Sequence, residues 1–415
     1  MGRGGMAQLL VAGGGPAGLA AAVAAARRVM ATVLVERYGF LGGMATAGLV
    51  NPFMMWDPGQ EPLVGGIFQE MLDRLSAKGG FSSPRQPNAF DPEAFKVAAD
   101  EMCAEARVQV RLHTLLTAVS KKGNRISSAA TESKSGRKAW RARVFIDCTG
   151  DADLACRAGV PCDIGRGEDG LTQPMTLNFR MAGVEVERMP SGAEINRRYD
   201  AAKAGGRVHC PRENVLFFHT LQPDVVHFNT TRVTGKSGVD SHDLTSAEIE
   251  ARRQTQELVR FLVSEIAGFE HAYLQQTAAQ IGVRESRRIR GEYALTAEDV
   301  LGGRKFADGI ARCSYPIDIH SPTGAGTVIR GVPEGDYYEI PYRCLVPVGV
   351  DNLLVAGRCV SATHEAQASL RVMPQCFAMG EAAGVAASLA IERSILPREV
   401  DAGELRAILE QQSRR

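Results

Sequence analysis

The residues Gly13-Gly14-Gly15-Pro16-Ala17-Gly18, followed by Glu36, have the types and spacing to hold a dinucleotide. In such a turn the first glycine permits a sharp reversal, the second lets backbone approach a pyrophosphate, and the third lets a helix pack on the preceding strand. The helix that follows offers four unpaired N–H groups and its positive dipole end to the phosphates. Glu36 stands where the acid of this motif accepts hydrogen bonds from an adenosine ribose.

A second group is cationic. Arg284, Glu285, Arg287, Arg288 and Arg290 all fall within Gln280–Gly291. If that stretch is extended, Arg287 and Glu285 share one face and the other three arginines take the opposite one, so some guanidiniums point inward. An inward guanidinium needs a partner, and either Glu285 or an anionic substrate supplies it. Structural pair and substrate clamp both remain open. His320, after the apolar stretch Tyr315–Ile319, is either a satisfied histidine or a catalytic one. None of the eight histidines falls at an HxxxH or HxxH spacing with a third ligand, so no metal is expected.

The elements that must position these residues are legible. Leu9–Val11 is an apolar strand, Leu19–Ala26 a helix and Thr32–Val35 a second strand, which is the context a bare GxGxxG lacks. Leu19–Ala26 is too short to span a bilayer and only Arg3 is charged ahead of it, so neither a membrane span nor a signal peptide is expected, and the chain reads as cytoplasmic. Tyr38–Val50 is a glycine-broken loop where Gly42 and Gly43 let backbone approach a ligand and Thr46 offers a hydroxyl. Helices are predicted over Val64–Leu75 and from Asp91 onward, with Pro92 at the first position. Strands at 108–112, 115–120, 125–131 and 138–143 form a small antiparallel meander. Val144–Ile146 returns to the main sheet and ends in a TGD triplet that puts Gly150 near the cofactor and the Asp151 carboxylate within reach of a hydroxyl.

From about Gly165 the texture changes. Leu171–Met181 and Val215–Val233 alternate apolar and polar residues, as an inserted sheet flooring a pocket would. A long helix is predicted over Ser246–Ile266, started by Thr245 or Ser246. Asn352–Gly357 is another buried strand ending at glycine, followed by Arg358, the loop Cys359–Arg371 and a helix beginning at Pro374 and Gln375. That helix aims its positive end at an electron-poor ring such as a flavin.

Composition adds bounds. The 415 residues suffice for two or three cores. Lys+Arg 48 against Asp+Glu 47 gives no bulk attraction to nucleic acid or to a membrane. Nine cysteines without a CxxC, the closest pair being Cys156 and Cys162, read as reduced and mostly buried thiols.

Taken together, Gly13–Gly18 with Glu36, ERYGFLGGMAT, IDCTGDADLA, GVRESRRIRGEY, IPYRCLVP and NLLVAGRCVSATHEAQASLRVMPQCFAMGEAAG resemble the FAD-dependent oxidoreductases with a glutathione-reductase-like cofactor domain. The likeness runs from about Gln8 to Ala390. It implies an α/β fold, a Rossmann-like FAD-binding domain with a β-meander plus an inserted α+β substrate domain, divided as 6–165, 166–339 and 340–395 with a tail at 396–415. By position Gly13, Gly15, Pro16, Ala17 and Gly18 meet the pyrophosphate, and Glu36 and Arg37 the adenosine. Gly42, Gly43 and Thr46 meet the ribityl and flavin edge, and Gly150, Asp151, Gly357, Arg358 and Gln375 the remainder. Val29-Met30 departs from the pattern, where a glycine usually ends the first helix.

The resemblance implies a hydride passed between a small organic substrate and the flavin while a protein group moves a proton. His364, in the loop that passes the flavin, is the first candidate for that group and His320 the second. Arg284, Arg287 and Arg371 hold a carboxylate or developing oxyanion, though Arg371 equally suits the flavin. With no second GxGxxG unit and no redox CxxxxC, the electrons go to an external acceptor such as oxygen, a quinone or an electron-transfer protein. A flavin monooxygenase, and a non-catalytic FAD-binding or RNA-modification partner, are the alternatives. Oligomeric state is not readable.

Overall fold

The structure, a computed structural model, describes residues 5–28, 30–54 and 62–413. Leu9–Ala12 (β1) is wholly buried, as four apolar residues in a row require of a strand covered on both faces. It turns into Pro16–Arg27 (α1), whose alanines are buried from Ala17 to Ala25, and returns as Thr32–Val35 (β2), parallel to β1. Val29 lies outside the described residues; α1 stops at Arg27, with the Arg28 N–H bonding back to Ala25 and Ala26 carbonyls. Gly66–Ala77 (α2) and Pro92–Glu105 (α3) follow, the latter capped by Asp91 accepting from Glu93 N–H. After Gln109–Arg111 (β3) come the meander strands Leu115–Lys122 (β4), Arg125–Glu132 (β5) and Lys138–Arg141 (β6), then Val144–Asp147 (β7).

The middle of the chain supplies Cys162–Ile164 (β8), Phe179–Ala182 (β9), Gly192–Ala204 (α4), Phe217–His219 (β10), Val226–Phe228 (β11), Ser241–Glu265 (α5), Tyr273–Thr277 (β12), Arg287–Ile289 (β13) and Ile317–His320 (β14). Leu353–Val355 (β15), His364–Leu370 (α6), Met373–Arg393 (α7) and Ala402–Ser413 (α8) complete it.

The main sheet is parallel in the order β15-β7-β1-β2-β3, so strands from both ends of the chain lie side by side. Its strands open their C-terminal ends to one edge, where an α/β sheet places its ligand. Small residues let α7 settle on α1: a Cβ added to Gly380 would stand 2.1 Å from the Ala17 carbonyl oxygen. The inserted sheet is antiparallel, in the order β10-β11-β9-β12. Phe179, Met181, Val226 and Phe228 on one face pack against Tyr199 of α4 and Leu258, Phe261 and Leu262 of α5. The alternate residues, Asn178, Arg180, His227 and Asn229, take the opposite face.

Several elements differ from the sequence prediction. Pro174 interrupts the stretch 171–181, which becomes a strand only at β9, with isolated bridges at Met175 and Thr176. α5 begins at Ser241, because the Asp240 side chain accepts from Asp243 N–H, while Thr245 and Ser246 turn their hydroxyls back to the Ser241 and Asp243 carbonyls. The loop 359–371 contains α6, started by Thr363 accepting from Ala366 N–H. The tail is the helix α8, whose Leu405 is buried in the main core, and that core also takes in Ile289, Ile317 and Ile340. Seven cysteines are buried free thiols, but Cys156 and Cys162 are joined as a disulfide, because the turn between them brings their Cα atoms to 6.7 Å.

Candidate active site

A groove runs along the C-terminal edge of β1, β2 and β7. Gly13 turns with φ 95°, and a Cβ on Gly18 would stand 1.7 Å from the Gly13 carbonyl oxygen, so only glycine lets α1 start this close to β1. The first turn of α1 has no side-chain cap, leaving its N–H groups open to an anion. Glu36 Oε2 accepts from Gly14 N–H at 2.6 Å and Oε1 from Tyr38 N–H at 2.9 Å, which fixes the carboxylate at the end of β2. Arg37 donates to Tyr38 Oη and Gln280 Oε1 beside it. Gly13, Gly15, Pro16, Ala17, Glu36 and Arg37 all line the groove. So do Gly43, Gly150, Asp151, Gly357, Arg358 and Arg371.

Three predicted cofactor residues, with Gly18, lie behind this wall. Gly42 donates its N–H to the Gly14 carbonyl at 2.8 Å, pinning the loop, and Thr46 turns its hydroxyl to the Leu41 carbonyl at 2.7 Å. Gln375 is fully buried, with Nε2 on the Arg312 carbonyl. The groove wall holds a donor without an acceptor: Arg358 bonds Gly150 O and Asp151 Oδ1 through Nε and Nη2, but its buried Nη1 has no partner. Open helix amides, the Gly13–Gly18 cradle and this spare guanidinium N–H are the donor set a pyrophosphate-linked dinucleotide needs.

The groove shares Met44, Arg358, Arg371 and Met373 with a second cavity of about 440 Å³, within the size range of small-molecule sites. Arg284 lies in its wall, donating to Pro174 O at 2.8 Å, Thr176 Oγ1 at 2.6 Å and Asn229 Oδ1 at 3.1 Å, with no carboxylate in contact among the described residues. Burial first, then the nearby Arg371 and Arg212, hold its pKa well below the usual arginine range, against a smaller opposing effect of Asp318. A guanidinium stays charged even so, and this one is poorly compensated.

β14 places Asp318 and His320 two residues apart on one face, both lining the cavity. His320 Nδ1 lies 3.2 Å from Arg232 Nη2 and its Nε2 faces Asp318 Oδ2 at 3.5 Å. Burial, then Arg284, push its pKa down to about 3, with Asp318 working the other way, so the ring is neutral at ordinary pH. Asp318 is raised by burial but lowered more by His320, Arg371 and the Tyr315 hydroxyl, 2.9 Å away, and stays well below the usual carboxylate range. Arg371 Nη2 is 3.7 Å from Asp318 Oδ2 and thus ties this carboxylate to the groove. Asp318, Tyr315 and Arg212 were not foreseen from the sequence. The one available signal was the alternation in IDIH, which puts Asp318 on the same face as His320.

Two predicted residues are not brought to the cavity. Arg287 donates to Asp151 O at 2.7 Å and Asp153 Oδ1 at 2.6 Å, joining β13 to the turn after β7 and not to Arg284. His364 is buried at the start of α6, with Nδ1 2.9 Å from Glu285 Oε1. Glu285 is wholly buried and its partners are Arg288, His364 and the Gln173 N–H, instead of Arg284 or Arg287. The reversal arises because only 287–289 is extended, so Glu285 escapes the alternation that the sequence predicts.

Among known proteins, the family model for FAD dependent oxidoreductases matches residues 8–409. No curated protein sequence matches the chain. Among solved structures the chain is similar to BexE, from BE-7585A biosynthesis, at 13% identity and a TM-score of 0.50, covering 98% of this chain and 68% of that one. A triple mutant of the flavin-dependent brominase Bmp2 aligns at 12% identity and a TM-score of 0.50, over 98% and 84% of the two chains. A geranylgeranyl bacteriochlorophyll reductase-like protein of Thermoplasma acidophilum aligns at 13% and 0.49, over 98% and 83%. At such identities the likenesses to BexE and Bmp2 show the fold alone. Among the described residues no helix is long and apolar enough to cross a membrane. The family match spans nearly the whole chain and includes the groove just described: the protein belongs to the FAD-dependent oxidoreductase family and is an enzyme with FAD as its cofactor.

Proposed function

We propose that the enzyme oxidises or reduces a small anionic organic substrate held in the 440 Å³ cavity, with electrons leaving or arriving through an external partner. The supporting observation is Arg284: a guanidinium in the cavity wall, satisfied by neutral oxygens and lacking a carboxylate, is stabilised by an anion that enters beside it. FAD held in the groove, which meets the cavity at a junction lined by Arg358 and Arg371, would supply a hydride acceptor or donor. Arg371, which lines both, orients the substrate's charged end against that junction. Asp318 is held charged, and in the oxidation direction it takes the hydrogen bond of a substrate hydroxyl or amine and so orients that group. His320 positions Asp318, since Arg232 occupies its Nδ1 and leaves Nε2–H directed at the carboxylate.

No second strand, GxGxxG turn and helix unit appears among the described residues, which favours an acceptor or donor from outside the chain. Anaerobic mixing of the holoenzyme with hydroxy acids, amino acids and unsaturated acids, followed at the flavin absorbance, tests the reading. An anionic member of the panel should change the flavin oxidation state, and Arg284→Met should weaken its binding about a hundredfold while FAD is retained. Reduction by NAD(P)H alone, with oxygen incorporated into a neutral substrate, would replace this reading by that of a monooxygenase.

A further inference from the structure

The charges around the cavity do not balance, and the imbalance is specific. Asp151 is bonded to Arg358, Glu213 to Arg232 at 2.9 Å, and Asp318 faces Arg371. His320 is neutral. Glu213 is shared, its Oε1 standing 3.9 Å from Arg212 and accepting from Thr327 at 2.8 Å, so three carboxylates answer five guanidiniums, and neither Arg212 nor Arg284 has a carboxylate within hydrogen-bond distance. Arg212 is only 4% exposed, yet it lines the cavity. Its Nε donates to Asn214 Oδ1 at 3.2 Å, and neither Nη finds an acceptor among the described residues. An uncompensated guanidinium this deep is costly unless a ligand supplies the missing charge.

Each of the two arginines keeps N–H donors open. Arg284 spends Nη1 on Pro174 and Thr176 and one Nη2 hydrogen on Asn229, which leaves Nε–H and one Nη2–H without an acceptor among the described residues. Arg212 spends Nε and leaves its Nη1 and Nη2 edge. A fork of parallel N–H groups matches the two oxygens of a carboxylate. Arg212 comes from the segment before β10 and Arg284 from the one before β13, and the two positive charges left on one cavity wall call for a ligand with two negative charges.

We propose that the substrate is a dicarboxylate, one carboxylate on Arg284 and the other on Arg212. This rests on the cavity being the substrate site. It narrows the substrate from an anion to a molecule with two acidic ends, and makes Arg212 the residue that selects the second.

The test uses FAD-loaded enzyme and its flavin spectrum as the binding signal, with succinate, glutarate and adipate set against butyrate, valerate and hexanoate, and with phenyl phosphate as a one-ended dianion. At least one dicarboxylate should bind about tenfold or more tighter than the monocarboxylate of nearest length. Arg212→Met should erase that preference while monocarboxylate binding persists, and Arg284→Met should weaken both classes. The wild-type ratio does not depend on any variant folding, and Arg212→Gln gives a second reading of the same position. Equal binding of mono- and dicarboxylates by the wild-type enzyme, or a preference unchanged in both Arg212 variants, would overturn the proposal but leave the anion site standing. Tight binding of phenyl phosphate alone would overturn it in favour of a phosphate ester. Binding of acids that is indifferent to Arg284 would remove the cavity as the substrate site altogether.

Discussion

Arg232 Nη2 lies 3.2 Å from the His320 imidazole Nδ1, which is also 3.1 Å from the Thr327 hydroxyl, and the ring's Nε2 faces Asp318 at 3.5 Å. An arginine can only donate, so this contact favours the tautomer with the proton on Nε2, toward Asp318. The two residues on β14 therefore have different duties, the carboxylate receiving and the imidazole holding it in place.

Asp318→Asn should slow flavin reduction by about a hundredfold with FAD still bound, because a neutral amide replaces the charged acceptor of the substrate's hydrogen bond. His320→Gln keeps an N–H donor and should cost less, about tenfold, with KM nearly unchanged. Rapid-mixing kinetics on both variants decide this; equal rates in Asp318→Asn and wild type would take the carboxylate out of the chemistry.

His227 makes a prediction about acid stability. It is buried with both ring nitrogens unpartnered, and burial, then Arg180, lower its pKa to about 3. The unfolded chain binds a proton below about 6.5 that the folded ring refuses, so stability falls as pH drops from there toward 3, by about 1.4 kcal/mol per pH unit for this residue. His320, also near 3, adds a like share. His227→Leu should flatten the slope between pH 4.5 and 6.5 and raise the melting temperature at neutral pH by removing two unsatisfied atoms. Melting curves that keep the wild-type slope would contradict this.

Glu381 runs the other way. Burial raises its carboxyl to about 7, although Ile67 N–H donates to it at 3.1 Å. The folded chain keeps a proton that the unfolded chain gives up above about 4.5, so this residue's contribution weakens as pH rises through 7. Glu381→Gln retains an acceptor for Ile67 and should add about 1–3 kcal/mol at pH 8 while changing little at pH 5. Chemical denaturation at the two pH values measures the difference directly.

Glu36→Ala should weaken FAD retention by about tenfold to a hundredfold, the effect of losing a charge-assisted contact of about 1.5–3 kcal/mol. Because Glu36 also accepts from Gly14 and Tyr38, some loss of stability accompanies it. An unchanged FAD dissociation constant would place the ribose elsewhere.

What the sequence reveals divides along the range of the contacts involved. The turn Gly13–Gly18, its strand and helix, and Glu36 were legible because each is set by neighbours in the chain. The meander strands from Leu115 on and the two later glycine strands were legible for the same reason, whereas 108–112, read as a fourth meander strand, is β3 on the edge of the main parallel sheet, because it pairs in parallel with β2. Arg284 and Arg287, three residues apart, look alike in sequence. One faces the cavity and the other is drawn to Asp153, because Arg287 is fixed by the pairing of β13 with β8 while Arg284 lies before that strand begins. His364 looks like a loop residue until Thr363 starts a helix beneath it and turns it onto Glu285. Arg212 carries no local mark, since its meaning depends on which carboxylates the folded chain withholds from it.

The seating of α7 on α1 fixes when the cofactor domain can exist. β1, α1 and β2 are made long before β15 and α7, which cover one edge and one face of their sheet. Throughout synthesis the nucleotide turn is thus present in a half-built sheet with an open edge, and contacts of the longest sequence separation must form before it closes. FAD capture consequently waits for β15 and α7, and the inserted sheet, whose own core closes within residues 179–274, is the part able to fold first.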